Sequence, residues 1–413
     1  MKKLSLLFVA GAFAQGSAYA NGFLLNEFDA KAVGRGNAST ATDVDPSSIY
    51  YNIGGLAVGD GTNVQIGGAL IAPMASYSDP SGAKTDSNTP AQGVPGIFIS
   101  SRVHPMVAVG IGFYTPFGLA VTWPDNSPQN DIIHEETLHT FFITPSVGVN
   151  LGSLVPGLSA GAGLDLVPAT VDLQQDVYFG SDRGTAHLGG TAFGVGGRVG
   201  VMYRPASQPA LSLGAMYRTQ VKEDFSGTGD FDAPAPYRSQ LPPDGNVKTS
   251  ITLPQQVSVG AAYKIIPDFE LEANVIWTNW SKFKSLNIDV PASMGTGTMT
   301  ISQTENYTNE TTFRVGAEYG FPHLGLAVRA GYIYDPTPVP STSLTAQLPD
   351  INRNDVTLGA TKTLGNYAAH VGLLWVLPGT RHASDVPYMP EYKGSYDVSA
   401  FVAALTLSGH FAH

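Results

Sequence analysis

From about Asn63 to the end of the chain, apolar side chains recur at every second position in segments of roughly ten residues, separated by stretches rich in Gly, Pro, Asn and Asp. That period predicts strands that are apolar on one face only. Val64, Ile66, Leu70 and Met74 mark the first; Ile97, Ile99 and Val103 the second; Val107, Val109, Ile111 and Phe113 the third; Phe141 to Asn150 the fourth. In the fifth, Leu158, Ala160, Ala162, Leu164 and Leu166 share one face, and Ser159, Gly161, Gly163 and Asp165 share the other. The same alternation continues from Phe193 through Tyr203, Leu213 through Val221, Val257 through Tyr263 and Phe269 through Trp277. It resumes at Phe313, Leu326, Val356 and Tyr367, and closes with Phe401 to Phe411. About fourteen strands result, the even number that a closed single-chain barrel requires.

The gaps between segments alternate in length. Short ones carry turn formers such as His104-Pro105, Pro156-Gly157, Pro267-Asp268 and Gly365-Asn366. Long ones run from about 76 to 92, 115 to 136, 172 to 184, 224 to 247, 285 to 307, 336 to 354 and 377 to 393. Short periplasmic turns and long outer loops are the habit of outer-membrane barrels, which places both ends of this barrel in the periplasm. Tyr, Trp and Phe at strand ends then supply the interfacial girdle, with Phe411 in phase with Leu405 and Leu407 at the close.

Composition agrees with this class. Charged residues make up 13% of the chain, against 47 glycines and 18 tyrosines, and no apolar run beyond the leader reaches the length of a spanning helix. The sequence has no cysteine, so disulfides and thiolate chemistry are excluded. A net charge of −11 argues against a nucleic-acid partner. Lys2 and Lys3, the apolar run from Leu4 to Ala14 and Ala18-Tyr19-Ala20 form a secretory leader with a small-x-small cleavage site, read by the Sec pathway. The expected organisation is a signal peptide at 1–20, a hatch or plug at 21–61 and a transmembrane antiparallel all-β barrel at 62–413.

The segment between leader and barrel is apolar at Phe23, Leu24, Leu25, Phe28 and Val33, yet broken by glycine and short polar residues. It suits short helical turns packed inside the lumen. Here the chain resembles the FadL-type outer-membrane transporters of long-chain fatty acids and other hydrophobic molecules. Gly22 to Phe28 and Gly34-Arg35 match the opening of that family's mature chain, and Asn52 stands where its Asn-Pro-Ala begins, followed here by Ile53-Gly54. Tyr114-Thr-Pro-Phe-Gly-Leu119, Trp277-Thr-Asn-Trp-Ser-Lys-Phe283 and Arg329-Ala-Gly-Tyr-Ile-Tyr-Asp335 carry the resemblance onward. It implies a hatch using Gly34, Arg35 and Asn52, an N-terminus that reaches the ligand site, and a sideways opening of the wall near Phe117-Gly118.

Several motifs have a second reading. Gly157-Leu-Ser159-Ala-Gly161 spells a hydrolase nucleophile elbow, but a strand continues past it where the elbow needs a helix. His134 and His139 are five apart, which does not place two zinc ligands on one helical face, and a solvated outer loop is the simpler expectation for that stretch. Gly194 to Gly200 is read as glycine on a lumen face rather than a phosphate loop.

Arg198, Arg218, Arg314 and Arg329 should point inward near Asp165, Glu270, Glu272, Glu318 and Asp335, mostly as ion pairs. An arginine left without an acidic partner would seat a carboxylate. Arg314 and Arg329 are the choices, with Phe23, Leu24, Leu25 and Phe28 lining the apolar part of the site. The expected function is passive uptake of long-chain fatty acids or similar hydrophobic molecules across the bacterial outer membrane. Aromatic hydrocarbon uptake or a general porin stand as the alternatives. No catalytic residue, cofactor or metal is expected, and the partners are the cargo, outer-membrane lipid and lipopolysaccharide around a monomer.

Overall fold

The structure, a computed structural model, describes residues 22–292, 297–384 and 393–412. The expected leader and Asn21 lie outside the described residues. Among those described, fourteen wall strands close into one antiparallel barrel. They are β1 (Thr62–Ser78), β2 (Gln92–His104), β3 (Val107–Tyr114, continued by Gly118–Thr122), β4 (Glu135–Thr140 and Phe142–Asn150) and β5 (Leu158–Phe179). Next come β6 (Asp182–Tyr203), β7 (Leu211–Arg218 and Val221–Asp232), β8 (Gly245–Leu253 and Gln256–Ile266), β9 (Phe269–Thr278 and Ser285–Pro291) and β10 (Thr298–Thr304 and Glu310–Phe321). β11 (Leu326–Asp335), β12 (Arg353–Leu364), β13 (Tyr367–His382) and β14 (Ser395–Phe411) complete the wall. The seam is a continuous ladder from Thr62 opposite Phe411 to Ser78 opposite Ser395, so no edge is left open.

The two-residue period sets which face meets lipid. Ile66, Leu70 and Met74 on β1, Phe193, Val195 and Val199 on β6, and Leu405 and Leu407 on β14 are all exposed outward. Tyr263, Tyr319, Tyr367 and Phe411 ring the periplasmic side, while Tyr217, Tyr334, Trp375 and Phe401 lie toward the outer side.

Stretches 172–184, 224–247 and 285–307, expected as loops, carry long runs of strand: the two strands that meet at Gly180-Ser181, Val221–Asp232 with Gly245–Leu253, and Ser285–Pro291 with Thr298–Thr304. β5 and β6 run 22 residues each, far longer than the hydrocarbon core requires, and turn only at Gly180-Ser181. Their upper halves keep the ladder but lose the greasy outer face: Thr170, Asp172 and Gln174 replace Leu164 and Leu166. Glu135–Thr140, expected within a solvated loop, is a strand whose Glu136 and His139 are buried.

Residues 22–57 are almost wholly buried against the inward faces of the wall strands. They form a short helix α1 (Ala30–Gly34), a single turn α2 (Ser48–Tyr51) and a 3-10 turn at Ile53–Ala57. α1 packs on β12 and β13, and the 3-10 turn packs on β4, β5 and β6. One segment therefore touches widely separated parts of the wall. Inward-facing glycines permit this approach. A Cβ on Gly34 would stand 2.7 Å from the Cα of Gly359, and Gly96, Gly161, Gly214 and Gly316 each meet a backbone carbonyl of the segment.

Candidate functional site

The N-terminal segment is tied to the wall by charge as well as by packing. Arg35, 3% exposed, reaches Glu270 and Glu272 on β9 at 3.4 Å each. Glu272 also accepts from the Ala41 amide at 2.7 Å and from Thr42 Oγ1 at 2.5 Å. Asn52 makes a compact turn without a proline. Its Oδ1 accepts from the Gly54 amide, and its Nδ2 donates to the Thr40 and Val201 carbonyls at 2.7 and 2.9 Å. Ser159, the residue of the elbow motif, donates to the Gly54 carbonyl at 2.7 Å from the second residue of β5, which continues as strand to Phe179.

Phe117 and Gly118 stand at a break in the wall. The β3–β4 ladder runs to Tyr114 opposite Phe142 and resumes at Gly118 opposite His139. Between them, Thr115 to Phe117 turn inward and bond to the N-terminal segment instead. Leu24 and Phe117 form an isolated antiparallel bridge, the Leu25 amide donates to the Pro116 carbonyl at 2.9 Å, and the Gly118 amide donates to the Phe23 carbonyl at 3.0 Å. The segment thus completes hydrogen bonds that the wall leaves unmade there.

Above this junction lies an apolar cavity. Phe23 stands beneath it with its ring 4.8 Å from Trp280 and 6.0 Å from both Phe117 and Phe283, centroid to centroid. The remaining walls come from Leu119 and Leu138, Val171 and Leu173, Phe225, Ile251, Leu286 and the 336–352 loop. That loop closes over the mouth, with Leu344, Ala346 and Leu348 buried and Trp123 donating to the Ala346 carbonyl at 2.9 Å. Asp350 accepts from the Gly22 amide at 3.2 Å, and burial pushes its carboxyl up to about 6. Leu24 and Leu25 are buried at the bridge, while Phe28 packs lower, its ring 4.6 Å from Tyr50 and 5.5 Å from Tyr114. Of the four apolar residues chosen from sequence, Phe23 is the one in the cavity lining.

The inward arginines divide into spent and unspent. Arg198 is paired with Asp165 at 2.9 Å, and Arg329 with Glu318 at 2.6 Å, with a further bond to Thr361. Arg314 donates to the Asn37 carbonyl at 3.3 Å, while its Nε is buried without a partner. Arg218 is 2% exposed and none of its three guanidinium nitrogens has a hydrogen-bond partner. Its charge lies over the Phe117 ring at 4.8 Å and near Phe142 at 6.0 Å. Arg218 and Arg314 face the same lower chamber, walled by Asn26, Asn37, Thr40, Tyr50, Tyr51 and Gln256. The alternation of β7 marks Arg218 as inward, but its lack of a partner depends on contacts between strands distant in sequence.

Two further residues stand out in the upper cavity, Glu136 and Glu305. Both are buried, and burial pushes each carboxyl up to about 8. In sequence they are ordinary members of polar stretches, and nothing in the period marks them.

A family model for outer membrane protein transport proteins (OMPP1/FadL/TodX) matches residues 11–411. The long-chain fatty acid transport protein of Salmonella typhi is 25% identical to this chain, covering 94% of it and 95% of that protein. Its namesake in Escherichia coli K12 is 23% identical with the same coverage. Among solved structures, a Pseudomonas aeruginosa FadL homologue aligns with a TM-score of 0.83 at 17% identity, covering 94% of this chain and all of that one. The Pseudomonas putida toluene transporter TodX aligns at 0.77 and 18%, with the same coverage. At those identities the likeness speaks for the fold. With a family match along nearly its whole length, a closed barrel and a buried N-terminal segment, the chain belongs to the outer membrane protein transport family of OMPP1, FadL and TodX.

Proposed function

We propose that the protein carries long-chain fatty acids, or hydrophobic molecules of similar size, passively across the outer membrane by way of the Phe23 cavity. The observation that carries this reading is the cavity itself: apolar, roofed by the 336–352 loop and floored by the N-terminal segment. An open wet pore serves such cargo poorly. Each methylene taken out of water is worth about 0.8 kcal/mol, so a chain of some fourteen carries about 11 kcal/mol as an upper bound. It needs sheltered sites in series and a weak point for exit.

In this reading, 1–20 is a removed leader, 21–61 the hatch and 62–413 the barrel. Cargo captured above Phe23 displaces the segment around Leu24 and Leu25, which opens the break at Phe117-Gly118 toward the bilayer. Gly34, Arg35 and Asn52 hold the rest of the hatch in place meanwhile. A carboxylate is seated in the lower chamber by Arg218 together with Arg314; Arg329, already paired with Glu318, takes no part.

Uptake of aromatic hydrocarbons is the second reading, favoured by the absence of any Lys or Arg from the upper cavity lining. Binding of labelled oleate and labelled toluene to the purified protein, with and without residues 21–28, tests both. Loss of binding on deletion supports the site. Equal affinity in the deletion variant removes the N-terminus from it, and steady conductance of the intact protein in planar bilayers would make it a porin.

A further inference from the structure

The polar side of the upper cavity has an unusual composition. Gln303 donates to Gln347 at 2.7 Å, with the Glu136 carboxyl beside Gln347 and the Glu305 carboxyl beside Gln303. Two buried carboxyls and two amides thus form one polar cluster against a wall of Leu, Val, Ile and Phe. Glu136 lines the cavity, and its Oε2 is buried without a hydrogen-bond partner.

The other groups facing this cluster add no positive charge. Tyr307 is the remaining titratable group of the lining. Glu223 follows Phe225 inward on the same face of β7, fully buried, with both carboxyl oxygens unpartnered. Lys282 and Lys284, on the segment that supplies Phe283, are exposed. Asp172, beside Val171 and Leu173, faces outward and pairs with His187 at 2.9 Å. Charging Glu136 or Glu305 here costs desolvation with no cation to offset it, and the Glu136 charge opposes the ionisation of Glu305.

Resting on the transport reading above, we propose that this cavity selects hydrophobic molecules with an uncharged, hydrogen-bonding head group, such as a long-chain alcohol or a carboxylic acid in its protonated form, and rejects the carboxylate anion. Glu136 Oε2 is the atom placed to meet that head group. A protonated carboxyl there donates to a hydroxyl or carbonyl oxygen, and its other oxygen accepts a hydroxyl proton. A fatty acid then enters the upper cavity neutral and ionises only on reaching the cationic lower chamber.

The test is displacement of labelled hexadecanol from the full-length protein by hexadecanol, palmitate and hexadecylamine, at about pH 6 and about pH 9, on either side of the two raised carboxyls. Competition reports only the site that the alcohol fills. Near neutrality the alcohol should compete about tenfold or more better than palmitate, which is the penalty of one unpaired charge in apolar surroundings. Hexadecanol binding should weaken toward about pH 9 as the carboxyls ionise. Glu136→Gln with Glu305→Gln removes both titrating carboxyls, so whatever hexadecanol affinity that variant has should be the same at about pH 6 and about pH 9. Hexadecylamine competing better than the alcohol would overturn the proposal and make the pair a cation site. Palmitate equal to the alcohol at both pH values would overturn it too, leaving the transport reading intact. No binding of any of the three would overturn the cavity as a cargo site, and this inference with it.

Discussion

The upper cavity and the lower chamber are stacked in one barrel but handle charge in opposite ways. Above Phe23, apolar side chains are set against buried carboxyls that have no cation near them. Below, Arg218 and part of Arg314 are cationic and unsatisfied, while Arg35, Arg198 and Arg329 are each paired with a carboxylate. The contrast separates two jobs. On the proposed reading, greasy surface captures a chain, and charge either fastens the N-terminal segment or waits for an anion. The thin layer of Phe23, Leu24 and Phe117 lies between the two, and it is also where the wall is incomplete.

The largest expected effect comes from unfastening the hatch. Arg35→Ala leaves Glu270 and the fully buried Glu272 without their cation, a loss of about 3–5 kcal/mol for a broken buried pair. Planar-bilayer recordings should show current through the variant and none through the native protein. A silent Arg35→Ala barrel would mean that packing alone holds the segment.

Removing the floor of the upper cavity comes next. Phe23→Ala deletes a ring worth about 1.5–3 kcal/mol of burial, so oleate and toluene should both bind about 10- to 100-fold more weakly by equilibrium titration. Arg218→Met should distinguish the ligands. Losing a charged hydrogen bond of about 1.5–3 kcal/mol weakens carboxylate binding tenfold or more and leaves toluene unchanged. If both ligands respond alike, the lower chamber has no head-group role.

The smallest effect is on pH dependence. Asp350, Glu136 and Glu305 have folded values raised to about 6, 8 and 8 above their ordinary ones. Their protonated forms therefore favour the folded state. That contribution is fully present below the ordinary carboxyl range of about 4 and is lost as pH rises through about 6 and then about 8. Thermal melts in detergent should fall by a few degrees between about pH 6 and about pH 9, and by less in the double glutamine variant.

Much of this was legible in the sequence because strand alternation is a local signal. Ile66, Leu70 and Met74 declare the lipid face without reference to any other strand, and the short turns at His104-Pro105 and Gly365-Asn366 declare the periplasmic side. The height of the wall was not legible. Thr170, Asp172 and Gln174 continue β5 in strand form, but their polar outer face reads as loop, because what holds them is the ladder to β6. Glu136 failed for the same reason. The polar groups it meets, Gln347 and Glu305, are more than 160 positions away. The arginines were recognised as inward from period alone, yet which one lacks a partner is a property of the closed barrel.

One measurement bears most directly on the idea that the N-terminal segment closes the wall. The chain is free of cysteine, so Leu24→Cys with Phe117→Cys supplies its only thiols, at two positions already paired across an antiparallel bridge and within disulfide reach. With the bond formed, uptake of labelled oleate by whole cells should stop while binding to the purified protein persists, and reduction should restore uptake. Undiminished uptake through a fully oxidised pair would contradict the account, because cargo would then be leaving by a path that never parts Leu24 from Phe117.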